Sequence, residues 1–129
     1  MNKILTFMAG LAAMTSASLA QSVTPMRGEP RSVAENFAVR ILVGNPYPQK
    51  QTFAVNVYDD KFYPVNASVS LPQVSIPGLG SRSVVIVVPF DGLPVRRVRI
   101  CAEGIFGADG GSKLRTQVCG KYQATHVGP

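Results

Sequence analysis

The sequence predicts an all-β fold, a single antiparallel immunoglobulin-like β-sandwich of about seven strands. Three observations predict it. Apolar residues recur with a period of two in one segment after another, the spacing that lines up alternate side chains on one face of a strand. Clusters of Gly, Pro, Asn and Asp interrupt these segments roughly every 8–12 residues, as the turns of a sandwich do. Helical periodicity is absent beyond the N-terminal segment. A small β-barrel fits the same pattern and is the alternative.

Residues 1–20 read as a signal peptide. Lys3 is the sole charge before Arg27, an apolar run from Ile4 to Leu11 follows it, and "ASLA" offers small residues for cleavage after Ala20. The apolar core is shorter than the ~20 residues that a bilayer span needs. The expected location is therefore periplasmic or secreted, in a bacterial envelope. Residues 21–34, "QSVTPMRGEPRSVA", carry two prolines and no periodicity, and read as an extended N-terminal arm. The β-sandwich domain is expected over 35–123 and a C-terminal tail over 124–129.

Within the domain, "FAVRILV" places Phe37, Val39, Ile41 and Val43 on one face and Ala38, Arg40 and Leu42 on the other. "GNPYPQK" breaks the pattern, since proline has no place in a central ladder. In "QTFAVNVYD", Phe53, Val55 and Val57 alternate with Thr52, Asn56 and Tyr58, and Asp59, Asp60 and Lys61 form a turn. "FYPVNASVSL" reads as an edge strand interrupted by Pro64. "QVSI" is a short strand, "PGLGS" turns the chain, and "RSVVIVVPF" is apolar on both faces, as a covered central strand would be. "DGLP" turns again.

The last two strands carry both cysteines. Around residues 96–102, Val98, Ile100 and Ala102 alternate with Arg97, Arg99 and Cys101; around 114–122, Thr116, Val118 and Gly120 alternate with Arg115, Gln117, Cys119 and Lys121. If Cys101 faces Cys119, the midpoint of the hairpin is Gly110, the first glycine of "DGG". The turn signal and the cysteine register agree, so we expect a cross-strand disulfide Cys101–Cys119. Its loop would be worth ~3 kcal/mol in the chain-entropy model, and export would favour its oxidation. The same register sets Arg99 opposite Lys121 and Glu103 opposite Gln117. It leaves a basic strip of Arg97, Arg99, Arg115 and Lys121, with Arg96 and Lys113 near its ends.

That strip is a candidate docking surface for an anionic partner, or a solvated face whose charges discourage edge pairing. Tyr47 in "NPYPQ" and Phe106 near the hairpin end are candidate interface anchors. The net charge of the full chain is +6, which outside the cytosol suits anionic polysaccharide, lipid head groups or acidic proteins. Nucleic acid is discounted, because no aromatics are interleaved with the strip. Catalytic constellations are missing: Asp59 and Asp60 are adjacent turn residues, and His126 is the only histidine and falls in the expected tail. The chain calls for no cofactor and no metal.

"VGNPYPQKQTFAVNVYDDKF", followed by "IPGLGSRSVVIVV", resembles bacterial extracytoplasmic immunoglobulin-like domains, including the first domain of periplasmic pilus-assembly chaperones. The resemblance is one of strands and turns over roughly residues 37–102. It implies the sandwich fold and sheet edges that accept or donate a strand. Those chaperones have a second domain and a paired Arg and Lys in a cleft, and neither is matched here, so no site residue is carried over. The expected function is a non-enzymatic, exported interaction module, an accessory or assembly factor for an envelope structure with another envelope or secreted protein as partner. A binder of anionic polymer or lipid, or an inhibitor of an exogenous enzyme acting through the 103–117 loop, are the alternatives.

Overall fold

A computed structural model describes residues 21–106 and 114–128. The expected signal peptide with its cut after Ala20, the turn at Gly110, Lys113 and the side chain of Phe106 lie outside the described residues. Strands are numbered in chain order: β1 (Ser22–Thr24), β2 (Arg27–Gly28), β3 (Arg31–Ser32), β4 (Asn36–Gly44), β5 (Gln51–Asp59), β6 (Ser68–Val69), β7 (Gln73–Ile76), β8 (Ser81–Pro89), β9 (Val95–Phe106) and β10 (Leu114–His126).

They form two sheets. One runs β1-β4-β8-β6, the other β2-β10-β9-β5-β7 with β3 also beside β10. The sheets pack face to face and neither closes on itself, so the fold is the expected immunoglobulin-like sandwich and not a barrel. The period-two pattern decides which residues meet between the layers. Phe37, Ile41 and Val43 of β4, Phe53 and Val55 of β5, Ile86 and Val88 of β8, and Val98 and Ile100 of β9 all join one buried cluster. Burying such a side chain contributes ~1.5–3 kcal/mol, and β4, β5, β7, β8, β9 and β10 each supply two or more buried residues.

Four expectations are corrected. The segment 21–34 is extended but is no free arm. β1 lies antiparallel on β4, the chain passes a cis Thr24–Pro25 bond, and β2 and β3 then run parallel along β10. Val23 is fully buried, because one apolar residue between two short pairings is enough to anchor the strand in the core. "FYPVNASVSL" is not a strand throughout: Pro64 makes an isolated bridge to Tyr58, and only Ser68–Val69 pairs, with β8. The proline and the turn at 59–63 withhold the backbone groups that a longer ladder needs. β8 is covered on one face only. Val84, Ile86 and Val88 are buried, but Val87 on the opposite face is 36% exposed. Finally, β10 continues to His126, whose ring lies edge-on to Phe90 at 5.1 Å.

Candidate functional site

The β9–β10 hairpin pairs over twelve positions, from Leu114↔Phe106 to Thr125↔Val95. Cys119 lies opposite Cys101, and the two form the expected disulfide. Their Cα atoms are 4.0 Å apart, the close spacing of a pair that does not exchange backbone hydrogen bonds. The N–H and C=O of Cys119 therefore point away from β9. The same parity holds two residues at a time along β10. Lys121 and Thr125 donate their N–H groups outward to the carbonyls of Met26 and Pro30, which β2 and β3 bring alongside. Further up, Arg115, Gln117 and Cys119 have the same outward orientation, and among the described residues no strand besides β9 pairs with β10 between Leu114 and Gly120. Among the described residues the upper half of β10 is thus an open edge on a disulfide-closed hairpin. On its inward face Thr116 and Val118 are half-buried.

The core end of this edge is finished by Gln21. Its side chain is buried, donates to the carbonyl of Ala102 at 3.0 Å and accepts from the Thr116 hydroxyl at 2.6 Å. Lower down, the Tyr122 phenol donates to the carbonyl of Pro25. Burial pushes its pKa up to about 12. Gln21 ties the start of the N-terminal segment to the inward face of β10 at Thr116, and Tyr122 ties it to the lower half; neither contact uses the outward backbone groups of Arg115, Gln117 and Cys119.

The basic strip is present but divided. Arg99 faces Lys121 as expected, and Arg97 faces Gln123, whose side-chain oxygen accepts from Arg97 Nε at 3.1 Å. Arg115 stands apart, nearer the hairpin end. Between it and the others lies Glu103, which accepts from Asn56 Nδ2, the Tyr58 hydroxyl at 2.7 Å and Gln117 Nε2 at 2.8 Å. The Tyr58 pKa is raised, first by this bond to a carboxylate, then by burial and by the carboxylate's charge. Arg96 does not extend the strip. It sits one residue out of phase, half-buried, and pairs with Asp91 at 2.7 Å.

Sequence reasoning missed two members of the basic region. Register places Arg27 of β2 beside Lys121. A five-residue loop then lays the Phe62 ring 4.5 Å from the Arg99 guanidinium. In that loop the Asp59 carboxylate accepts from the N–H groups of Lys61 and Tyr63, and Phe62 adopts a left-handed φ of 66°. A bulky residue there costs on the order of 1 kcal/mol. Cation–π contact with Arg99, of ~0.5–2 kcal/mol, offsets it. Of the two proposed aromatic anchors, Tyr47 is half-buried rather than exposed, held where Asn45 caps its N–H at 3.0 Å.

No family model and no curated protein matches the sequence. Solved structures do match the fold. The Escherichia coli chaperone DraB superposes with a TM-score of 0.69 at 17% identity, over 84% of this chain and 55% of that one. The complex of the Salmonella enterica SafA pilin with the SafB chaperone gives 0.68 at 13% identity, over 84% and 55%. The CupB2 chaperone of Pseudomonas aeruginosa gives 0.63 at 12%, over 81% and 55%. The chain spans about half the length of the structures it matches. What these comparisons establish is the fold: this is a β-sandwich of the kind found in periplasmic pilus chaperones.

Proposed function

We propose that the protein is an exported, non-enzymatic interaction module that assists the assembly of an envelope or surface structure by presenting the upper edge of β10 to a partner protein. The observation that carries this reading is the open edge itself. Arg115, Gln117 and Cys119 direct N–H and C=O groups outward on a hairpin stapled by Cys101–Cys119. An incoming extended segment would gain main-chain hydrogen bonds there, and would set alternate side chains beside Thr116 and Val118. Two further observations support it. The solved structures with this fold include a pilin–chaperone complex and a chaperone–tip adhesin complex. The disulfide suits an oxidising compartment outside the cytosol.

Proline substitution at the edge tests the reading. Gln117→Pro removes one outward N–H and leaves the hydrogen bonds to β9 in place, as proline on a sheet edge does. Gln117→Ala removes the same side chain and keeps the N–H. Affinity capture from envelope extracts, with mass spectrometry of the captured proteins, should give one partner retained by wild type and Gln117→Ala and lost with Gln117→Pro. Equal capture by both variants would place the interaction elsewhere on the molecule.

A further inference from the structure

We infer that the lower outer face of the second sheet is a binding site for a linear acidic polysaccharide, with Arg99, Lys121 and Arg27 forming a row that meets carboxylates along the sugar chain. This goes beyond the edge-pairing role and does not rest on it, since it uses a different face and a different part of β10.

The row follows from register. Arg99 on β9 is opposite Lys121 on β10, and Lys121 is beside Arg27 on β2. Partners in register share a face of the sheet, so all three side chains leave the same surface, away from the core. Neighbouring strands lie ~4.8 Å apart, so three cations stand at near-regular intervals across three strands, with Tyr58 of β5 opposite Arg99 at the row's end. Like charges at such spacing repel. Among the described residues none of the three has a carboxylate within ion-pair distance, the one such pair being Arg96–Asp91. A line of cations without direct ion pairs, held by paired strands, complements a polymer that carries its negative charges in a line.

Three local features specify the ligand further. The cations line a cleft of ≈ 300 Å³ together with Arg97 and Gln123, so the charge stands in a groove and not on a ridge. Arg99 Nε is buried and has no hydrogen-bond partner among the described residues, and a carboxylate oxygen would supply the acceptor once the guanidinium turns toward the cleft. The Phe62 ring, 47% exposed beside Arg99, offers an apolar face for the C–H side of a sugar ring. Glu29 and Asp60 stand in the wall of the same cleft. They disfavour a broad anionic surface such as a membrane.

The test uses purified protein and a short oligogalacturonate, with titration calorimetry and NMR detection of the Arg99 Nε–H. Binding should be seen at low salt, weaken steeply as salt is raised, vanish when the carboxylates are methyl-esterified, and shift the Arg99 Nε–H signal. Lys121→Gln and Arg27→Gln should each weaken it about tenfold, the loss of one charge-assisted contact. Arg115→Gln, beyond Glu103, should leave it unchanged. Thermal melts confirm that the variants fold. Each of the following would overturn the site: no binding of the oligogalacturonate, equal binding of its methyl ester, equal loss in Arg115→Gln, an equal response to inorganic phosphate, or binding only to vesicles containing phosphatidylglycerol.

Discussion

Tyr122 shows how much one side chain settles in a small sandwich. Its ring lies between two residues that lack a Cβ. A methyl group on Gly120 would come within 2.4 Å of the phenol oxygen, and one on Gly28 within 2.9 Å of the ring. The hydroxyl is satisfied by Pro25, so the phenol is kept neutral in the fold and its pKa is pushed up to about 12 by burial. In the unfolded chain it ionises near 10. Below pH 10 the group is neutral in both states and its contribution is complete. Between pH 10 and 12 only the unfolded state loses the proton, so stability falls as pH rises. Tyr122→Phe should remove most of this alkaline loss, the remainder coming from Tyr58, and cost about 1 kcal/mol at neutral pH for the lost hydrogen bond. Urea unfolding at neutral and alkaline pH measures both effects. Asn45 is a second such residue. It is buried, donates from Nδ2 to the carbonyls of Gln49, Ile76 and Pro77, and caps Tyr47. The sequence shows Asn45 only as part of an Asn-Pro turn. Its long-range acceptors come from a loop some thirty residues away in sequence and are invisible without the fold.

At the scale of elements, the hairpin was the most legible part of the molecule. Two alternating segments and two cysteines specified the pairing of Cys101 with Cys119, and every described pair from Leu114 to Thr125 follows that register. Replacing both cysteines by alanine should leave the register intact, because eleven other pairs hold it. It should lower stability by about 3 kcal/mol through the freed loop, read as a fall in the urea midpoint. A midpoint unchanged by the double substitution would show that the link does not constrain the unfolded chain. The "PGLG" turn was read correctly as a turn, but not in its workings. Gly80 closes it by donating to Pro77 at 3.0 Å, and Leu79, not a glycine, takes the left-handed φ of 62°. Gly78 is required for a different reason: a Cβ there would lie 1.9 Å from the Pro48 carbonyl oxygen. Alternation reports which face a residue takes, and carries no information about backbone approach between distant loops.

For the molecule as a whole, the N-terminal segment joins the two layers. β1 completes one sheet and β2 and β3 border the other, so residues 22–32 cover parts of two edges that would otherwise be exposed. Val23→Ala, in a fully buried position, should cost about 2 kcal/mol in a single cooperative transition, followed by circular dichroism during urea unfolding. The same segment brings Arg27 to the basic row, and its pairing with β10 starts at Lys121, just below the open edge. Its prolines and lack of period made it look like a free arm. Strands of two or three residues are too short to show alternation, and parallel pairing with a strand about ninety residues away leaves no local mark.

By itself the sequence determined the class of fold, the inward face of β4, β5 and β9, the disulfide and the existence of a basic surface, because each rests on local periodicity or on the pairing of neighbours through one turn. Only the tertiary structure decided that Glu103 divides that surface, that Arg27 and Phe62 join it, and that β10 is open above and covered below. These depend on which distant segments lie side by side, and that is fixed by packing the two sheets on one core.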